Sequence, residues 1–169
     1  QAVIKLCAPT GRAAQRMTES TGEEASTIHR LLGTLTCSGE TLSRKSAEVF
    51  IPADMVIVDE ASMLNLELAN DLFSAIRPGT LVLLVGDTHQ LPAIGAGNVL
   101  FDFIFSGLIP VVTLTKVFRQ SKDSVILQNA QAINVGVSKL EEASDFKIVS
   151  AEDSDILEAV AEKFMECYD

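Results

Sequence analysis

The stretch MVIVDEASML (55–64) runs four apolar residues straight into two acids. Met55, Val56, Ile57 and Val58 show no polar alternation, so a strand built from them needs cover on both faces. Asp59 and Glu60 then leave that interior together, followed by the small residues Ala61 and Ser62. Strands of this kind belong to a parallel sheet between two layers of helices. In such sheets ligands bind beyond the carboxyl ends of the strands, which is where these acids stand.

Outward from this point, short apolar runs alternate with amphipathic ones. VIKLCA (3–8) reads as a buried strand and GRAAQRMTES (11–20) as a helix with Thr10 available as N-cap. EASTIHRLLGT (24–34) reads as a second helix ending near Gly33, and 34–53 as a polar loop or small hairpin. LNLELANDLFSAI (64–76) is a helix closed by Pro78 and Gly79, and TLVLLVGD (80–87) a second fully apolar strand. AGNVLFDFIF (96–105) reads as a helix, VVTLT (111–115) as a strand, and SVILQNAQAINVG (124–136) as a helix with Gly136 as its C-cap. FKIVS (146–150) and DILEAVAEKFMECY (155–168) add a strand and a helix. The fold class is α/β, a parallel sheet covered by helices on both faces, with a boundary expected between 108 and 115.

The 169 residues carry a net charge of −10, against a protein that grips nucleic acid with its whole surface. The distribution is uneven: residues 1–50 hold six Lys/Arg against five Asp/Glu, and residues 51–110 one against seven. A polyanion meets least repulsion over the first fifty. No apolar run approaches the roughly 20 residues of a membrane span, so the chain reads as soluble and cytoplasmic. Cys7, Cys37 and Cys167 are odd in number and lack metal-ligand spacing, as reduced thiols would be. The chain opens on Gln1 inside a strand-like run, as expected of a piece of a longer protein.

Three features gather polar groups at strand ends. A carboxylate at Asp59 can hold Mg²⁺ through water while Glu60 reaches a water poised to attack a phosphate. The plain alternative is two acids leaving the core. LLVGDTHQLPAIGAG (83–97) ends another buried strand in Asp87, and its loop carries Gln90, able to sense a phosphate oxygen or a water. LTKVFRQ (114–120) sets Arg119 just past a strand. An arginine facing the cleft from a second domain could neutralise charge on a transferring phosphoryl group, though a lone Arg there is commonly a surface residue. Upstream, Thr10, the Gly11 amide, Arg12 and Arg16 crowd one helix start, an arrangement that favours phosphate oxygens. Thr27, His29 and Arg30 stand at another, with His29 open to base stacking, phosphate contact or ordinary packing. None of the ten glycines is followed by Lys, so the Gly-Lys-Ser/Thr phosphate loop is absent.

APTGRAA (8–14), STIHRLLG (26–33), VIVDEASML (56–64), LVGDTHQLPAIGAG (84–97) and LTKVFRQ (114–120), in this order, resemble the RecD-like superfamily 1 DNA helicases, most closely the long stand-alone RecD form. The resemblance spans residues 4 to about 136. It implies a RecA-like, P-loop NTPase type of sheet truncated at both ends. Residues 1–112 are then a first motor domain without its P-loop strand, and 113–169 the beginning of a second. It implies that Pro9, Thr10, Gly11 and Arg12 (motif Ia) and Thr27 and His29 (motif Ib) face single-stranded DNA. Asp59 would orient Mg²⁺, Glu60 activate the hydrolytic water, and Gln90 couple γ-phosphate state to DNA grip. Arg119 would be the arginine of motif IV, and Asp87 would belong to the nucleotide site. The implied function is ATP-dependent 5′–3′ translocation on single-stranded DNA in recombination and repair, alone or with other nuclease and helicase subunits. The segment by itself is expected to be inactive. A non-catalytic module of the same fold, a conjugative relaxase-type helicase segment and a metal-dependent phosphohydrolase using Asp59, Glu60 and Asp87 are the other readings.

Overall fold

The computed structural model describes residues 2–36, 50–115, 124–150, 152 and 154–166. The chain divides into two compact units, Gln1–Val112 and Thr113–Asp169.

The first unit is built on a four-stranded, all-parallel sheet of β1 (Ile4–Ala8), β2 (Ala25–Thr27), β3 (Met55–Val58) and β4 (Leu81–Leu84), in the order β2-β1-β3-β4. Side-chain alternation along β1 and β3 feeds two separate cores. Leu6 and Ala8 pack with Ala13, Ala14 and Met17 of α1 (Gly11–Thr21), and Ile57 leans on the same cluster. Cys7, Val56 and Val58 face the other way. They pack with Ile28 and Leu31 of α2 (Ile28–Thr36), with Ala69 and Leu72 of α3 (Leu66–Ser74), and with Val99 and Leu100 of α4 (Val99–Ser106). Fully burying a side chain such as Ile28 or Leu72 contributes about 1.5–3 kcal/mol. The double cover that the unbroken apolar run requires is therefore real at β1 and β3. At β4 it is one-sided: Leu84 packs on the larger core, whereas Leu81 and Leu83 are exposed.

Because β1 lies between β2 and β3, the order of strands reverses there. The helix after β1 accordingly lies on one face, and the helices after β2 and β3 on the other. In open α/β sheets such a reversal opens a crevice at the carboxyl ends of the two strands.

Local signals place most boundaries. Thr10, in extended conformation, caps α1 by accepting the Ala13 N–H at 3.3 Å, and Gly22 ends the helix at φ +75°. Asn65 caps α3 through the Leu68 N–H at 2.9 Å. The expected helix over 24–34 is a strand followed by a helix. Ala25, Ser26 and Thr27 pair with Leu6, Cys7 and Ala8, and the Thr27 hydroxyl then caps α2 by accepting the Arg30 N–H at 3.1 Å. Of the loop expected over 34–53, residues 37–49 lie outside the described residues.

In the second unit, α5 (Val125–Asn134) and α6 (Ile156–Glu166) form where helices were expected. Gly136 at φ +81° follows directly on the C-cap Val135 of α5. The strands expected at 111–115 and 146–150 do not form. Neither segment has a ladder partner among the described residues, and extended chain without one is not a strand. A single bridge joins Ala143 and Phe146. Two buried polar side chains organise this unit. Asn129 donates to the Glu141 carbonyl at 2.7 Å and accepts the Glu141 N–H at 2.9 Å. Ser124 donates to Asp145 at 2.9 Å, and the same carboxylate accepts the Val125 N–H at 3.1 Å, capping α5 from outside the helix.

Candidate functional site

The four parallel strands end at one edge, and their register lines up the chemistry across it. Ala8 pairs with Thr27, so residues 9–12 and 27–30 rise side by side from β1 and β2. Asp59 donates its N–H to the Cys7 carbonyl at 3.0 Å, which sets the acid pair beside the β1 exit. On the far side, Val85 donates to the Val58 carbonyl at 2.8 Å and Ala61 to the Val85 carbonyl at 2.8 Å. From one side to the other the edge reads Thr27, Pro9, Asp59 with Glu60, then Val85 leading to Asp87.

Glu60 has a left-handed backbone, φ 52° and ψ 40°, and is the one non-glycine residue with positive φ among the described residues. That conformation costs an L-residue about 1–2 kcal/mol. The turn is held by the Glu60 N–H, which donates to Asp59 Oδ1 at 2.9 Å, and by the Ala61–Val85 bond. Asp59 therefore spends one oxygen on the turn and keeps Oδ2 free of any hydrogen bond among the described residues. A half-buried carboxylate with one free oxygen fits a single-point hold on hydrated Mg²⁺, a cation that keeps several of its waters.

Gly86 makes the close approach between β4 and the 3₁₀ turn at Ala61–Met63 possible. A Cβ there would stand 2.7 Å from Leu100 Cδ2 and 2.9 Å from the Ser62 nitrogen. Beyond it, Asp87 accepts the His89 N–H at 2.9 Å and the Gln90 N–H reaches the Asp87 carbonyl at 3.3 Å, so the loop begins as a tight turn. Its far end is pinned to α3: Asn65 Nδ2 donates to the Ile94 carbonyl at 3.1 Å and Leu66 N–H to the Ala96 carbonyl at 2.8 Å. At Gly97, φ is +89° and a Cβ would lie 3.1 Å from Leu66 Cβ, so glycine alone suits the position.

Between these anchors lies a pocket of about 110 Å³ whose polar walls are Ser62, Asp87, Thr88, Gln90 and Asn98. The structure thus brings Asp87 and Gln90 together. Asp59 and Glu60 stand on the adjacent strand end and do not line this pocket. No group of three or more His, Cys, Asp or Glu is gathered as a metal cluster among the described residues, so Asp59, Glu60 and Asp87 do not form the joint centre that a phosphohydrolase without a phosphate loop needs. None of the three is ion-paired with Lys or Arg among the described residues. Arg119 lies outside the described residues. Ser62, Gly86 and Asn98 are the additions that only the fold reveals, although the small Ala-Ser pair after the acids and the glycine after β4 already mark tight packing in the sequence.

On the other side of the edge, Arg12, Arg16, His29 and Arg30 are exposed, and Pro9, Thr10 and Thr27 are half-buried. Thr10 and Thr27 spend their hydroxyls on capping, so their side-chain oxygens serve the helices. Backbone N–H groups at the start of α1 and the neighbouring guanidinium groups are left to meet an anion.

The pattern of the AAA domain family matches residues 1–154. The ATP-dependent RecD2 DNA helicase of Deinococcus radiodurans is 44% identical over 130 residues, covering 77% of this chain and 17% of that protein. The RecBCD enzyme subunit RecD of Mycolicibacterium smegmatis is 38% identical over 117 residues, 60% of this chain and 21% of that subunit. The chain thus spans about a fifth of the length of these curated relatives. Among solved structures, Bacteroides sp Pif1 in complex with ADP-AlF4 superposes with a TM-score of 0.52 and 23% identity, covering 96% of this chain and 47% of that one. At that identity the likeness is one of fold.

Proposed function

We propose, because this chain belongs to the AAA domain family and to the RecD-like superfamily 1 helicases, that it is part of the motor of an ATP-dependent helicase moving 5′ to 3′ on single-stranded DNA. One observation carries the reading. The residues suited to DNA phosphates and those suited to nucleotide chemistry leave adjacent parallel strands at one edge, locked in register by the Ala8–Thr27 pairing and the Asp59–Cys7 bond. A motor must change its grip on the strand with nucleotide state, and a shared edge is the shortest route between the two functions.

In this reading Glu60 takes the proton of the attacking water, its carboxylate aimed by the left-handed turn. Asp59 offers its free oxygen to hydrated Mg²⁺, which when bound with ATP supplies charge neutralisation at the phosphates. Gln90 and Asp87 present the loop side of the site. Arg119 is the motif IV arginine of this reading and would supply a cation to the phosphates, and we read residues 113–169 as the start of a second motor domain. Pro9, Thr10, Gly11, Arg12, Thr27 and His29 form the DNA side, through backbone phosphate contacts and stacking worth about 1–3 kcal/mol per base. No described helix is long and apolar enough to cross a membrane. We read the protein as cytoplasmic, in keeping with the proposed work on DNA in recombination and repair, and the likeness to RecBCD subunits supports nuclease and helicase subunits as partners.

The test is ATP hydrolysis by the full-length protein with and without single-stranded DNA. Glu60→Gln should lower DNA-stimulated turnover by about 10²–10⁴-fold while ATP binding persists. Turnover at the wild-type rate in that variant removes Glu60 from the chemistry.

A further inference from the structure

We propose that Ser62 is a positioning residue: its buried hydroxyl takes the Gln90 side chain as its hydrogen-bond partner when nucleotide is bound, holding the amide toward the phosphates. The inference rests on the nucleotide-hydrolysing reading and deepens it.

Ser62 is 6% exposed, and its Oγ is the one buried side-chain polar atom without a hydrogen-bond partner among the described residues. A sealed, unbonded hydroxyl is costly, and folded proteins keep few of them. The other two buried polar side chains show the usual solution: Ser124 is bonded to Asp145, and Asn129 uses both ends of its amide on Glu141.

Ser62 lines a pocket with Gln90 and Asn98, whose side-chain amides likewise make no hydrogen bond among the described residues. Asn98 is held by the helix it starts, its carbonyl accepting the Asp102 N–H at 2.9 Å. Gln90 is held only by its backbone N–H to Asp87, and the next anchors along the loop come at Ile94 and Ala96. It is therefore the amide free to move. If Ser62 Oγ–H donates to Gln90 Oε1, both Nε2 hydrogens are left to donate to a phosphate oxygen or to the attacking water. A reversed amide would present an oxygen to an oxygen. Acceptor-only phosphate oxygens thus select the amide end they meet, while the hydroxyl, which can donate or accept, holds the amide in place and is built through Ala61 into the same turn as Glu60.

The experiment uses the full-length protein and the variants Ser62→Ala, Gln90→Ala, Asn98→Ala and the pairwise combinations with Ser62→Ala. Ser62→Ala removes an unbonded hydroxyl and keeps the Cβ, so thermal melting without nucleotide should not fall. Its kcat for DNA-stimulated ATP hydrolysis should drop about tenfold with KM for ATP within about twofold, and it should cause no further loss in the Gln90→Ala background. Wild-type kcat in Ser62→Ala overturns the proposal, as do losses that multiply with Gln90→Ala, or coupling to Asn98→Ala instead. Each of these leaves the helicase reading standing. Wild-type protein that hydrolyses no ATP overturns both.

Discussion

The Ala61 N–H donates to the Val85 carbonyl at 2.8 Å, carrying the β3–β4 ladder past the ends of both strands. Through that bond the turn holding Asp59 and Glu60 and the turn leading to Asp87 share one backbone frame. The bond couples the position of the two turns, so a substitution at one is expected to be felt at the other.

Glu60 tests that frame. Its left-handed backbone is strained for any residue with a Cβ, and Glu60→Gly removes the strain at the cost of added freedom in the unfolded chain. The expected net effect is stabilisation of up to about 1 kcal/mol together with loss of ATP turnover. Glu60→Gln loses turnover with melting unchanged. Calorimetry of both variants checks this, and a lower melting temperature for the glycine variant counts against a strained turn.

Gly86→Ala attacks the same frame from β4. The added Cβ would stand 2.7 Å from Leu100 Cδ2, 2.9 Å from the Ser62 nitrogen and 3.2 Å from the Ala61 nitrogen. Backbone cannot yield as a flexible side chain can, so the substitution should cost about 1–3 kcal/mol in denaturant unfolding. Gly33→Ala, inside α2 with nothing within 4 Å of its Cβ, serves as the control and should instead stabilise by up to about 1 kcal/mol.

On the DNA side, Arg12→Ala should weaken binding to single strands of any sequence to a similar degree. It should also reduce the slope of log affinity against log salt by about 0.7, the counterion release of one phosphate contact. Titrations at several salt concentrations measure both, and an unchanged slope removes Arg12 from the interface.

Cys7 is fully buried beneath the edge, and burial pushes its thiol pKa from 9.0 up to about 12. The folded state therefore holds the proton more tightly than the unfolded one. Its contribution is fully present below pH 9.0 and is lost as pH rises toward about 12. Unfolding measured between pH 8 and pH 11 should show a decline that Cys7→Ala lessens, and native Cys7 should resist alkylation at neutral pH.

Asp145 has the opposite sign. The Ser124 hydroxyl, with backbone N–H groups at the start of α5, holds its carboxyl below the usual value of 3.8. That support is present above 3.8 and lost as pH falls through the lowered value. Protection of amides 125–128 from hydrogen exchange, taken relative to the intrinsic rate at each pH, should fall on acidification in the wild type and be low already at neutral pH in Asp145→Ala.

Much of this was legible in the chain itself. The unbroken apolar runs at 55–58 and 81–84, the acids after them, the cap Thr10 and the left-handed glycine Gly136 one residue past the C-cap Val135 are local signals: they depend on burial period and on backbone freedom, which neighbouring residues decide. What failed to read locally depended on partners distant in sequence. Ala25–Thr27 is a strand because β1 lies beside it, whereas VVTLT and FKIVS, with stronger β-forming composition, find no ladder among the described residues.

Sequence alone determined that apolar parallel strands lead into Asp59, Glu60 and Asp87, because hydrophobicity and its period are properties of short segments, whereas the burial expected of the strand before Asp87 is met on one face only. Tertiary structure decided the strained backbone of Glu60, the contact at Gly86, the unbonded hydroxyl of Ser62, and the assignment of Gln90 to a pocket with Asp87 but without the acid pair. Each of those depends on the register between strands and on backbones a few ångströms apart, distances that exist only once segments remote along the chain have packed together.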